Sequence, residues 1–166
     1  MNRRKLSGTW CGLCGSAGQI LRGNDVFELS DFYHYCKEQK VDVIPYPNCP
    51  AAGATIRDEG FYAVFLNFSQ IRSTRVLRGV CCHEMGHVAT GALHKVDSPY
   101  ELAERSEYRA KRWTAQQYLT EADFRDAFDA GYTELWQLAD FFDMPEADVQ
   151  AALIYWTERR GINFNQ

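Results

Sequence analysis

The spacing of apolar residues changes several times along the chain, and each change marks a boundary between elements. Between residues 25 and 40, Val26, Leu29, Phe32, Tyr33 and Cys36 recur at helical intervals, which predicts a helix packed on a core, with Asn24 placed to cap it. His34 lies outside that apolar face and is expected at the surface. The period then shortens to that of strands. Val41-Asp42-Val43-Ile44 reads as a short strand ended by Pro45 and Pro47, and a loop carrying Gly53 leads to a second, Ala54-Thr55-Ile56-Arg57. Asp58-Glu59-Gly60 turns the chain into Phe61-Tyr62-Ala63-Val64-Phe65-Leu66-Asn67, the strongest strand in the sequence. Helical spacing returns with Val76, Leu77, Val80, Cys81 and Val88, in an apolar segment that Ser73 can cap and that runs to Gly91.

The remainder is helical in pattern. Ser98 and Pro99 are a cap and a first helical residue for a long helix reaching about Leu119; Thr120 caps a shorter one to about Ala130, and Gly131 stops it. Residues 133–142 and 145–159, broken at Asp143-Met144, have the spacing of a helix-turn-helix. Their apolar residues, among them Leu138, Phe142, Val149, Ala152 and Trp156, predict a small core. The first 24 residues keep no period and read as a loosely ordered tail. The organisation expected is therefore a tail (1–24), an α+β domain (25–131) and a helical pair packed on it (132–166).

Composition narrows the function classes. A chain of 166 residues that is 46% hydrophobic can bury a core, and a net charge of −4 gives no basic footprint for nucleic acid. The helix-turn-helix spacing raises DNA binding again, but residues 133–160 hold six acids and two bases, a balance that repels phosphate. A bracing or protein-docking role is expected of that pair instead. No run approaches the roughly 20 apolar residues of a membrane span, and the basic start at Asn2-Arg3-Arg4-Lys5 is followed by a stretch too broken by glycine and serine for a signal peptide. Six cysteines without a stapling pattern fit a reduced, cytoplasmic protein. Cys11 and Cys14 have the spacing of half a zinc knuckle, with no second pair to complete it, and adjacent Cys81 and Cys82 are expected to pack as small apolar residues.

The chemistry concentrates in Cys82-His83-Glu84-Met85-Gly86-His87, an H-E-x-x-H pattern inside the apolar helix. With about 3.6 residues per turn, His83 and His87 share a face and can reach one metal ion. Glu84, about 100° round the helix, is better placed to hold a water at the ion than to bind it, the division of labour in zinc peptidases: two histidine ligands and a glutamate general base. Such sites take a third protein ligand. Glu104 and Glu107, on the returning helix, are both candidates, with Ala103 and Ala110 allowing close helix approach; the alternative for Glu107 is a solvated pair with Lys111. In peptidases of this type a sheet-edge strand beside the metal helix pairs with extended substrate, a role that residues 61–67 could fill if they are not an ordinary core strand. His94, Tyr100 and Tyr46 are candidate donors to the oxyanion.

His83-Glu84-Met85-Gly86-His87 followed by Glu107-Tyr108-Arg109-Ala110, Trp113 and Leu119 resembles the ImmA/IrrE family of metallo-endopeptidases. The likeness covers roughly residues 25–160, and the gap from His87 to Glu107 is also similar to that of thermolysin-like gluzincins. It departs from the family pattern at Leu119-Thr120, where Leu-Pro is frequent. The resemblance implies a zincin-like fold with a small, mostly antiparallel sheet, and it puts the third ligand of a single catalytic zinc on Glu107. It further implies limited proteolysis of a helix-turn-helix repressor of a mobile element or stress response. The rival expectation is a regulatory module that holds zinc structurally and docks a partner protein through its C-terminal helices.

Overall fold

The computed structural model describes residues 27–93 and 100–164, which form an α+β fold. In chain order these are α1 (Leu29–Glu38), β1 (Val41–Pro45), β2 (Gly53–Asp58), β3 (Phe61–Leu66), α2 (Thr74–Thr90), α3 (Tyr100–Tyr118), α4 (Glu121–Asp129), α5 (Leu135–Phe142) and α6 (Glu146–Ile154). The last runs on as a π-helical turn, Tyr155–Arg159. The first helix begins later than its apolar spacing predicts: Glu28 takes the cap position, its backbone N–H donating to Asp31 Oδ2 at 3.1 Å. Asn24 and the expected tail lie outside the described residues, as do Ser98 and Pro99.

The sheet has the order β1-β3-β2, with β1 and β3 parallel and β2 and β3 antiparallel. It is thus mixed, one pair of each kind, where a mostly antiparallel sheet was expected. The reason lies in the connection after β1. Residues 46–52 cross one end of the sheet, held there by hydrogen bonds from Asn67 Nδ2 and Gln70 Nε2 to the Cys49 carbonyl at 2.7 and 3.1 Å. The chain then returns as β2 on the far side and leaves the middle for β3, whose Val64 and Leu66 are fully buried. Glu59 and Gly60 both have positive φ (45° and 91°), the geometry of a two-residue turn whose twist matches the strands.

On the site side α2 packs against β2, and α3 packs on α2. Ser73 Oγ accepts from Val76 N at the start of α2, and Gly91, at φ 59°, ends it. The returning α3 packs tightly because Gly86 faces Ala110: a Cβ on Gly86 would stand 2.7 Å from the Ala110 carbonyl oxygen. Thr120 caps α4 in a reciprocal arrangement with Asp123.

The C-terminal helices share the same core. Leu138, Phe142, Met144, Val149 and Ala152 are buried in one cluster with Leu66, Cys82, Met85 and Leu119. Polar contacts fix the docking. Trp156 Nε1 donates to the Leu119 carbonyl at 2.7 Å, and Arg75 pairs with Asp140 at 2.8 Å and Asp143 at 3.2 Å. Arg78, a turn further along α2, also pairs with Asp143. No helix among the described residues is long and apolar enough to cross a membrane.

Candidate metal centre

On α2 the Nε2 atoms of His83 and His87 lie 3.0 Å apart, as their one-turn separation requires. Glu107 arrives from α3 with Oε2 at 3.1 Å from His83 Nε2 and Oε1 at 3.3 Å from His87 Nε2. All three ligand atoms lie within 4.8 Å of one another, a group that could hold a metal ion. The contact depends on the Gly86–Ala110 approach, since a wider gap between α2 and α3 would carry the carboxylate away. Glu104, one turn earlier, is not part of the group; it lies near Tyr100, whose pKa it raises.

Hydrogen bonding orients this cluster. His87 Nδ1 lies 2.7 Å from the Ala92 carbonyl, which places a proton on Nδ1 and turns Nε2 toward Glu107. Ser106 Oγ donates to the same carbonyl, tying the residue before Glu107 to the end of the histidine helix. Hydrogen bonds from His83 and His87 hold the Glu107 carboxyl well below the usual carboxylate range, against the effect of its partial burial. Burial works to lower the His87 pKa, but the bonds to Glu107 and the Ala92 carbonyl outweigh it and leave that pKa raised.

Glu84 is buried at 4% exposure, and its Oε2 accepts from Thr55 Oγ1 at 2.6 Å. Thr55 belongs to β2, which can lie this close only because Gly53 has no side chain: a Cβ there would stand 2.6 Å from Val80 Cγ1 and 2.7 Å from Glu84 Oε1. Between β2 and α2 runs a cleft of about 680 Å³, bordered by Thr55, Ile56, Glu84 and the three-residue cluster. The strand beside the helix that carries His83 and His87 is therefore β2. Of the two readings for residues 61–67, the core strand holds, because β3 has both edges paired.

Comparison with family models, curated proteins and solved structures finds no match to the chain.

The other candidates fall away from the cluster or outside the described residues. Tyr46 packs its ring on Phe65 with centroids 5.7 Å apart, and neither Tyr46 nor Tyr100 borders the cleft. His94, Cys11 and Cys14 lie outside the described residues. Cys36, Cys49, Cys81 and Cys82 are free and buried, and burial pushes the Cys36 thiol up to about 11 and the Cys81 thiol up to about 12, so both pack as protonated, apolar groups. Two residues that sequence reasoning did not connect with the site are Thr55 and Asp148. Thr55 carried no signal beyond its strand. Asp148 reads in the sequence as one more surface acid at the start of a helix, yet it borders the cleft, where burial raises its pKa against the opposing pull of His83 and Lys111.

Proposed function

We propose that the chain is a zinc-dependent endopeptidase with a zincin-like fold, of the kind its resemblance to the ImmA/IrrE family implies. Its substrate would be a helix-turn-helix transcriptional repressor in the cytoplasm, cut at limited positions to lift repression of a mobile element or stress response. The observation that carries this reading is Glu84: a buried carboxylate next to His83, opening on the same cleft as the His83, His87 and Glu107 cluster.

The donors fit the ion. Two imidazole nitrogens and one carboxylate oxygen are a common set in hydrolytic zinc sites, and three protein ligands leave a coordination position free. When bound, zinc supplies Lewis acidity, which makes water a stronger acid and polarises a carbonyl. The chain's own residues do the rest. Glu84 takes the proton of the attacking water and returns it to the leaving amine, while the Thr55 hydroxyl holds its carboxylate in place. The outer edge of β2 offers main-chain groups with which an extended peptide can pair along the cleft.

Metal analysis and co-incubation with a helix-turn-helix repressor encoded beside this gene test the reading. One zinc per chain and discrete cleavage products are expected, and Glu84→Gln should retain the zinc while cleaving about 10²- to 10⁴-fold more slowly. Full activity without the carboxylate, or a parent protein that binds no stoichiometric zinc, would sink the proposal. A zinc-holding docking module would instead bind its partner equally well with or without Glu84.

A further inference from the structure

The two histidines of the cluster are held unequally. His87 presents Nε2 to Glu107 and has its Nδ1 fixed by the Ala92 carbonyl at 2.7 Å. His83 likewise presents Nε2 to Glu107, but among the described residues its Nδ1 makes no direct hydrogen bond. A histidine that ligates a metal nearly always donates its second N–H to a carboxylate, a carbonyl or a water, which fixes the ring and raises its basicity.

A carboxylate stands close to His83. Gly79 is one turn earlier on the same face of α2, and a Cβ there would collide with Asp148 Oδ2 and stand 2.7 Å from Pro145 Cγ. The bare backbone at Gly79 thus makes the space that the Asp148 carboxylate occupies. Between them lies a small cavity of about 10 Å³, bordered by His83, Asp148, Lys111 and Thr114. That is close to the space needed for one water, and its polar lining supplies the partners such a water requires. Lys111 offsets part of the negative charge there.

Resting on the reading of His83, His87 and Glu107 as a metal site, we infer that Asp148 is a positioning residue of that site. Its carboxylate accepts the Nδ1–H of His83 through one water in the cavity and holds the ring with Nε2 toward His87 and Glu107. The C-terminal helix pair thereby orients a metal ligand as well as packing on the core.

Zinc affinity of the full chain, measured by competition with a chromophoric chelator, tests this, with the absorption spectrum of the cobalt(II) form as a second readout. Asp148→Ala should weaken zinc binding about 10- to 100-fold and alter the cobalt spectrum. Asp148→Asn, whose amide oxygen can still accept, should weaken it less but measurably. Glu146→Gln, an exposed acid in the same turn of α6, should bind zinc as the parent does. If Asp148→Ala loses its thermal transition, the isosteric Asp148→Asn decides. Parent-like zinc affinity and an unchanged cobalt spectrum in Asp148→Asn and in a folded Asp148→Ala would overturn the positioning role alone. A parent chain that binds no zinc would remove the metal reading and this inference together.

Discussion

Glu107 answers at the scale of a single residue for both the metal and the metal-free protein. Its carboxylate is the one oxygen donor of the cluster, so Glu107→Ala should abolish tight zinc binding, whereas Glu104→Ala, at a residue outside the cluster, should leave it intact. Parent-like zinc stoichiometry in Glu107→Ala would refute the assignment. In the metal-free protein the sign of the pH dependence follows from two opposite shifts. Glu107 has a folded pKa below its ordinary 4.5, so its contribution is present above about 4.5 and is lost as pH falls through the depressed value. His87 has a folded pKa above 6.5, so its contribution is full below 6.5 and is lost as pH rises through the raised value. The stabilisation by the pair is therefore greatest between pH 4.5 and 6.5. Melting temperatures of metal-free parent and Glu107→Gln should differ most in that window and converge as pH rises through the raised His87 value or falls through the depressed Glu107 value; a constant difference across the range would contradict the shifts.

At the scale of elements, Gly86 and Gly53 set how closely α3 and β2 approach α2, and substitution separates their roles. Placing alanine in a helix interior gains about 1 kcal/mol over glycine, but overpacking a tight contact costs about 1–3 kcal/mol. At Gly86 the obstacle is the Ala110 backbone carbonyl, which cannot turn aside as a side chain can. The cost should win there. Gly86→Ala is expected to lower stability and, by pushing α3 outward with Glu107, to weaken zinc binding. Gly53→Ala meets Val80 and Glu84 instead, so it should slow cleavage while leaving zinc affinity near that of the parent. Chelator competition on both variants, beside activity, checks the pair; equal effects on metal and rate in the two would show that the strand and the helix are not independent supports.

For the whole molecule, the C-terminal helices belong to the common core rather than to a separable appendage. Removing residues 132–166 would uncover Leu66, Cys82, Met85, Leu119 and the other members of the shared cluster, and would leave Arg75 and Arg78 without Asp140 and Asp143. A chain ending at 131 is therefore expected to lose its cooperative thermal transition, and a sharp parent-like melt would show that the first unit folds alone. Electrostatics bears on DNA in the same region. Of the acids around the turn, Asp143 is taken up by two arginines of α2 and Asp148 faces the cleft, while Glu146 remains exposed where a recognition helix would begin. The packing removes some of the repulsion expected from the sequence, but the cations it brings, Arg75 and Arg78, are paired with Asp140 and Asp143, so purified protein should give no sequence-selective gel shift at moderate salt.

The sequence by itself determined the features that depend on near neighbours in the chain. The end of α2 at Gly91, the caps at Ser73 and Thr120, the turn at Glu59-Gly60 and the pairing of His83 with His87 all follow from residues a few positions apart, where helix and turn geometry leave little freedom. Tertiary structure decided what had to be brought together from a distance. Whether Glu104 or Glu107 faced the histidines depended on the register of α3 against Gly86, a contact between residues 24 positions apart. Which strand lay at the sheet edge depended on the crossing of residues 46–52, and so the partner of Glu84 became Thr55, 29 positions away, rather than a residue of β3. Asp148 reached the neighbourhood of His83 only because two helices from the end of the chain docked on α2 where Gly79 is bare. Local spacing fixes which face of an element a side chain occupies; only packing decides what that face meets.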